Sequence, residues 1–60
     1  MSNSIEDNEQ MVRDCNEREE QLNDRERKFI SDIESYMETG GFLSDAQEEW
    51  LFKIWDRVTG

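Results

Sequence analysis

The stretch Thr39-Gly40-Gly41-Phe42-Leu43-Ser44-Asp45-Ala46-Gln47 decides the fold, because it contains both a stop signal and a start signal for helices. Glycine readily adopts the left-handed conformation that ends a helix, so Gly40 or Gly41 is predicted to terminate the preceding one. Ser44 and Gln47 then form a capping-box pattern, in which the two side chains cover free backbone N–H groups of a new helix. The stretch therefore predicts two helices joined by a short loop, which form a helical hairpin.

The composition favours helix on both sides of this loop. Glu, Gln, Arg, Lys, Leu and Met dominate, β-branched residues are few, and there is no proline. The fold class is therefore predicted to be all-α, with a long helix over about residues 4–38 and a short second helix over about residues 45–58. At 1.5 Å per residue, the first helix would be about 50 Å long and the second about 20 Å.

The apolar residues before the glycines fall on one face when they are plotted at about 100° per residue. This apolar stripe comprises Met11, Val12, Cys15, Leu22, Phe29, Ile30, Ile33, Tyr36 and Met37. Its continuity is the reason for predicting one long helix, although Arg18, Glu19 and Glu26 interrupt its first half. The alternative is a disordered N-terminal tail followed by a helix that begins at Asn23, because Asn23-Asp24-Arg25-Glu26 also has a capping-box pattern.

Charge and apolar residues are distributed unevenly along the chain. Residues 29–60 contain all the aromatic side chains and most of the apolar ones. Residues 1–22 carry seven acids and two bases, so their net charge is −5 out of −9 for the whole chain. We therefore predict that residues 23–60 form a helical hairpin core and that residues 1–22 form an acidic helical arm or a partly disordered tail.

The second helix is predicted to have one apolar face and one acidic face. The residues expected to face the first helix are Leu43, Ala46, Trp50, Leu51, Ile54 and Val58, and the expected core pairs Trp50, Leu51 and Ile54 with Phe29 and Ile33. Trp55 lies at the edge of this face, whereas Phe52 points the opposite way, among Asp45, Glu48, Glu49 and Asp56. Because aromatic side chains concentrate binding energy at interfaces, Phe52 is predicted to contact a partner or a second copy.

The residue types needed for catalysis are missing or isolated. The chain has no histidine, which is the commonest general base and zinc ligand, and its one cysteine cannot form an internal disulfide or a CxxC site. The sequence contains no phosphate-binding glycine loop, calcium-loop pattern or nucleophile–base pair. We therefore expect no enzyme, metal site or cofactor. Cys15 lies among acids, which raise a thiol pKa, so it is expected to be an unreactive apolar member of the stripe.

The net charge of −9 predicts the kind of partner. With 16 acids and 7 bases, the chain would be repelled by the phosphates of DNA, RNA and anionic lipids, and it is expected to bind a basic protein. No apolar run is long enough to cross a membrane, and the acidic segment Met1–Asp7 is unlike a secretory signal peptide. The expected location is the cytoplasm.

Two stretches resemble a small helical module of phage and mobile-element proteins. The first is Leu22-Asn23-Asp24-Arg25-Glu26-Arg27-Lys28-Phe29-Ile30, and the second is Leu43-Ser44-Asp45-Ala46-Gln47-Glu48-Glu49-Trp50-Leu51, followed by Ile54, Arg57 and Val58. They read LxxRExxFI and LSxxQxxWLxxIxxRV, and they span residues 22–58. In a chain this small, acidic and helical, the pattern is similar to phage-encoded inhibitors of host defence, including anti-CRISPR proteins that mimic nucleic acid.

The resemblance implies a cytoplasmic inhibitor that occupies a basic DNA-recognition surface of the host, for example that of a CRISPR surveillance complex, and excludes target DNA. The acids of the long helix would line a rod about as long as 15 base pairs of duplex. The residues predicted to contact the partner are Asp14, Glu17, Glu19, Glu20, Asp24, Asp45, Glu48, Glu49, Phe52 and Asp56. The alternative function is an oligomerisation or adaptor module, in which the apolar stripe of the long helix pairs with another helix, for example as a homodimer.

Overall fold

The computed structural model describes residues 5–60, with only the backbone described at Ile5, and this range contains three α-helices and no strand. Helix α1 spans Ile5–Glu17, α2 spans Asp24–Glu38 and α3 spans Asp45–Thr59. A 3-10 turn over Glu19–Gln21 connects α1 to α2. The all-α class is confirmed. The single long helix over residues 4–38 is wrong, because the chain leaves the α-helical path between α1 and α2, and residue 4 lies outside the described range.

Helix α2 begins where the competing start signal predicted. The Asn23 side chain accepts a hydrogen bond of 2.8 Å from the Glu26 backbone N–H, and the Glu26 carboxylate accepts one of 3.0 Å from the Asn23 backbone N–H. This reciprocal capping box satisfies two N–H groups that a new helix leaves without intrahelical partners. The segment before it forms a helix of its own over Ile5–Glu17. Over residues 5–22, the chain is therefore neither part of a continuous long helix nor a disordered tail.

Helix α1 folds back and packs against α3 most extensively, and against α2 as well. The buried apolar core comprises Val12, Cys15, Leu22, Ile30, Ile33, Leu51, Ile54 and Val58. Three of these eight side chains lie between residues 5 and 22, so that segment, which is helical over Ile5–Glu17, contributes to the core. The fold is a bundle of three helices instead of the predicted hairpin of two. A straight first helix would carry its apolar stripe over about 50 Å, and α3 is too short to cover that length, so α1 folds back onto α3.

The loop between α2 and α3 matches its prediction closely. Gly40 has a φ of +90°, in the left-handed region. The Gly41 N–H donates to the Tyr36 carbonyl and the Gly40 N–H donates to the Met37 carbonyl, each at 3.0 Å, which is the Schellman pattern of a helix C-terminus. Helix α3 then begins at the Ser44–Gln47 capping box, with hydrogen bonds of 3.2 and 2.8 Å. Local backbone chemistry therefore determined this loop.

A junction of charged and backbone groups holds the turn between α1 and α2 against α3. The Arg57 guanidinium lies 2.6 Å from the Glu26 carboxylate and also donates a hydrogen bond of 3.0 Å to the Gln21 carbonyl. Glu26 is buried. Desolvation acts to raise the pKa of the Glu26 carboxyl, but the hydrogen bond from the Asn23 backbone and the charge of Arg57 outweigh it and hold that pKa below its ordinary 4.5.

The inward face of α3 is rotated relative to its prediction. Leu51, Ile54 and Val58 are buried, whereas Trp50 is 42% exposed and Ala46 is exposed. The buried residues lie at about 100°, 40° and 80° from Trp50 on the helical plot, so Trp50 is at the edge of the face and not at its centre. The predicted burial of Trp50 in the core is therefore wrong, whereas its expected packing against Phe29 is confirmed.

The apolar stripe of the first half of the chain is mostly covered by the chain itself. Its exception is Tyr36, which is half exposed and lies against Gly41. The described residues extend over 27 × 22 × 17 Å, which is much shorter than the predicted rod. Among residues 5–60, none of the helices combines the length and the apolar character that crossing a membrane requires.

Removing the cap of α2 is predicted to destabilise the bundle. We expect Asn23→Ala to lower the free energy of unfolding by about 1 kcal/mol, the usual effect of losing an N-cap side chain. Glu26→Ala should lower it by about 2 kcal/mol, because it also leaves Arg57 without its carboxylate, although Arg57 is half exposed and retains solvent. Urea unfolding followed by circular dichroism measures both changes. Asn23→Ser, which keeps a capping oxygen, is the control, and a wild-type midpoint for Asn23→Ala would show that the cap does not stabilise the bundle.

The lowered pKa of Glu26 predicts a loss of stability in acid. A carboxyl whose pKa is lower in the folded state stabilises the protein above its unfolded value, near 4.5, and that contribution disappears as the pH falls through the folded value. We expect the urea midpoint of Glu26→Gln to approach that of wild type as the pH is lowered from 7 to 3. Comparing the two proteins cancels the change in overall charge repulsion. A constant difference between their midpoints across this range would show that the Glu26 charge does not contribute.

Candidate protein-binding surface

The outer face of α3 presents an exposed aromatic ring among carboxylates. Phe52 is 46% exposed, and its ring centroid lies 5.9 Å from that of Trp55. Asp45, Glu49 and Asp56 are exposed on the same helix, and Glu49 lies 3.4 Å from Lys53. The outward orientation predicted for Phe52 is confirmed. Its contact with a partner or a second copy stays a prediction.

Asp14 joins α1 to α3 beside this surface. The indole N–H of Trp55 donates a hydrogen bond of 3.0 Å to the Asp14 carboxylate, and the Gln10 amide donates another of 3.1 Å. The hydrogen bond from Trp55 is the main cause that lowers the pKa of Asp14, and Gln10 and nearby arginines add to it against a smaller opposing effect of desolvation. Asp14 was predicted as a partner contact, and in the structure it also connects two helices.

Glu48 is the second predicted contact residue that takes part in helix packing. It is half buried and accepts a hydrogen bond of 3.1 Å from the side-chain amide of Asn8 on α1. Asn8 is buried, and its Oδ1 atom has no hydrogen-bond partner among the described residues. Leaving a buried acceptor without a partner costs roughly 1–3 kcal/mol. Substitutions at Glu48 would remove the hydrogen bond from Asn8, and they would therefore disturb the contact between α1 and α3 as well as the surface.

The remaining predicted contact residues lie at and beside the 3-10 turn. Glu17, Glu19 and Glu20 are exposed, and Asp24 is exposed in the first turn of α2. Of these four, Glu17 lies 3.8 Å from Arg18. The turn places them at the junction between α1 and α2, instead of along the middle of a straight rod.

A groove between α1 and α2 was not predicted. It has a volume of about 200 Å³ and is lined by Glu9, Val12 and Arg13 from α1 and by Glu34, Met37 and Glu38 from α2. In a continuous helix, Glu9 and Glu38 would be separated by about 44 Å, so no helical plot could bring them together. The reversal of the chain between the two helices creates the groove.

Trp50 and Phe42 are exposed aromatic side chains away from the outer face of α3. Phe29 and Trp50 pack with ring centroids 4.0 Å apart and their planes tilted by 33°. Phe42, in the loop before α3, is 70% exposed. The pair of Phe29 and Trp50 joins α2 to α3 and leaves part of the indole at the surface.

Within residues 5–60, no group of three or more Cys, Asp and Glu side chains is placed to hold a metal ion. Cys15 is buried, and burial raises the pKa of its thiol to about 11, with smaller contributions from Asp14 and Glu26. The direction of this shift is as predicted. Its main cause is burial in the core, whereas the sequence suggested neighbouring charge.

The Cys15 thiol is predicted to be unreactive in the folded protein. A thiol with a pKa near 11 has very little thiolate at pH 8, and burial also blocks access to the reagent. We expect labelling by a disulfide reagent at pH 8 to be at least about a hundredfold slower than in 6 M urea, because it must wait for the chain to open. Absorbance of the released thiolate measures the rate. A native rate close to the unfolded one would mean that Cys15 is not in the core.

Comparison with known protein families, with curated proteins and with solved structures finds no match to this chain. The resemblance of residues 22–58 to phage inhibitors of host defence therefore stays a prediction. The chemistry of residues 5–60 is the basis on which a function is proposed.

Proposed function

We propose that the protein is an inhibitor that binds a basic nucleic-acid-binding protein of the host and blocks its DNA-binding surface. The DNA-recognition subunit of a CRISPR surveillance complex is the kind of target that the sequence resemblance implies, and the site of action is then the host cytoplasm. The observation that carries the proposal is the distribution of charge, with exposed carboxylates on all three helices and on the turn.

Most of the positive charge is already engaged within the chain. Five of the seven cationic side chains contact a carboxylate or a backbone carbonyl, and these are Arg13, Arg18, Arg27, Lys53 and Arg57. By contrast, Glu20, Asp32, Glu38, Asp45 and Asp56 form no ion pair in the described part of the chain. The net charge of −9, with these acids exposed and outside any ion pair of residues 5–60, favours association with a basic protein.

The dimensions of the bundle support a compact mimic. Its longest extent, 27 Å, corresponds to about eight base pairs at 3.4 Å each, compared with about 15 for the rod expected from the sequence. A body of this size covers a short basic site on the target. Phe52 lies among the acids of α3 and provides an apolar contact within the charged surface, which electrostatic attraction alone does not supply.

The alternative function, oligomerisation through the apolar stripe, has less support. The residues that were to pair with another helix include Val12, Cys15 and Ile33, and all three are buried in the chain's own core. A second copy also carries the same charge of −9, so it would be repelled.

Reversing exposed charges is predicted to abolish capture of the target. The variant carries Glu17→Lys, Glu19→Lys, Glu20→Lys and Glu49→Lys, and it leaves Asp14 and Glu48 unchanged because they pack α1 against α3. The matched control changes the same four residues to Asp, which keeps the charge. Each immobilised protein is incubated with lysate of the native host at 0.1 M and 0.5 M salt, and bound proteins are challenged with a 20-base-pair duplex.

We expect wild type and the Asp control to retain a protein that duplex DNA displaces and that 0.5 M salt releases, because salt screens exposed charges. The Lys variant should retain at least roughly tenfold less of this protein than wild type does. Circular dichroism checks that the variants are folded. Capture that is indifferent to charge reversal, to salt and to duplex DNA would exclude a nucleic-acid mimic.

A further inference from the structure

The groove between α1 and α2 combines an apolar floor with an acidic rim. Val12 is a buried core residue beneath the groove, and the half-buried Met37 packs against the core and supplies the accessible apolar surface. Glu9, Glu34 and Glu38 surround them with three carboxylates, and Arg13 adds one guanidinium. The lining therefore has a net charge of −2 (three acids and one base), beside a surface that can cover methylene groups.

The polar contacts of the rim leave acceptor capacity. Glu34 accepts a hydrogen bond of 2.9 Å from the Asn16 amide, and Glu9 lies 4.0 Å from Arg13, at the limit of an ion pair between two exposed side chains. Glu38 forms no ion pair among the described residues. Because each ionised carboxylate can accept about four hydrogen bonds, several positions remain for a donor brought by a ligand.

Charge and shape together favour a cation carried on an alkyl chain. An anion would be repelled by the rim, a neutral apolar group would leave the carboxylates unused, and a second copy of this chain would bring its own net charge of −9. A lysine side chain fits both parts of the groove, because its four methylenes can lie on apolar surface while its ammonium donates three hydrogen bonds.

We propose that this groove is the subsite that anchors a lysine side chain of the basic partner, with the methylenes on Met37 beside the buried Val12 and the ammonium among Glu9, Glu34 and Glu38. The identity of the partner as a nucleic-acid-binding protein rests on the proposed function, but the selectivity of the groove for an alkylammonium group does not. Nucleic-acid-binding surfaces are rich in lysine, so the groove gives the mimic a defined contact in addition to diffuse attraction.

The probe is n-butylammonium, which reproduces the lysine side chain, and it is compared with methylammonium and with neutral n-butanol. Isotope-labelled protein is titrated with each, and the methyl resonances of Val12 and Met37 are followed by NMR. Burial of a methylene favours binding by up to about fourfold. We expect n-butylammonium to bind at least about tenfold more tightly than methylammonium, since three additional methylenes lie in an open groove. We expect n-butanol, which lacks the charge, to bind more weakly than n-butylammonium.

Three variants assign the site. Glu38→Gln should weaken binding of n-butylammonium by about two- to fivefold, and Arg13→Gln should tighten it by a similar factor because it removes a competing cation from the rim. Glu20→Gln, which makes the same charge change on the 3-10 turn, should leave the affinity within twofold of wild type. All three residues are exposed or lie on the rim, so the fold should tolerate these changes.

Equal affinity for methylammonium and n-butylammonium would overturn the groove proposal. Equal weakening of n-butylammonium binding by Glu20→Gln and Glu38→Gln would also overturn it. Either result would indicate diffuse attraction to an acidic surface. Selective binding of n-butylammonium supports the groove even where the lysate experiment captures no DNA-displaceable protein, and that second result counts against the proposed function alone. Conversely, a captured protein does not rescue the groove if this selectivity is absent.

Discussion

The contact between Glu26 and Arg57 is the interaction on which the arrangement of the three helices depends. One carboxylate accepts a hydrogen bond from the backbone N–H that precedes α2 and also binds the guanidinium near the end of α3. The same guanidinium donates to the carbonyl of Gln21 in the 3-10 turn. A local capping group is thereby connected to a distant helix, so the start of α2 is held against the last turns of α3.

This junction explains how 60 residues with an excess of acids form a core. Breaking the chain before Asn23 lets α1 return along the bundle and bury Val12 and Cys15 against α3. Without the break, the first part of the apolar stripe would extend beyond the short α3 and stay in water, losing about 25 cal/mol for each Å² of apolar surface left uncovered. The net charge opposes this compaction through repulsion between the acids. This repulsion is reduced because the carboxylates are exposed, so solvent and salt screen them.

The same compaction changes how the acids are displayed. In a straight helix they would form one long line, whereas in the bundle they lie on three helices and a turn around a body 27 Å long. Two of them, Asp14 and Glu48, take on contacts between α1 and α3. Others, such as Glu9 and Glu38, are brought to opposite rims of one groove. In the proposed function this acidity attracts a basic partner, and the proposed lysine subsite in the groove would add a preference for the shape of one cationic side chain.

The two helix starts, the helix stop and the outward direction of Phe52 could be predicted from the sequence, because each depends on residues within one or two helical turns. Ser44 and Gln47 cap α3 as their spacing indicates, and Gly40 takes the left-handed conformation that the preceding helix needs to end. The signal at Asn23 was also present. The periodicity of the apolar stripe outweighed it, because a break that keeps the same residues facing inward leaves that periodicity intact.

The sequence by itself determined an acidic, all-helical chain with its caps, its loop and most of its inward-facing residues. Only the tertiary structure decided that α1 packs against α3, that Trp50 lies at the edge of the core, and that Cys15 is protected by burial. It also decided the groove and the pairing of Glu26 with Arg57. The physical reason is the range of the interactions. Caps and helical faces depend on neighbours three or four residues apart, whereas these contacts join residues about 20 to 40 positions apart. The direction in which the chain turns is set by packing of the whole core.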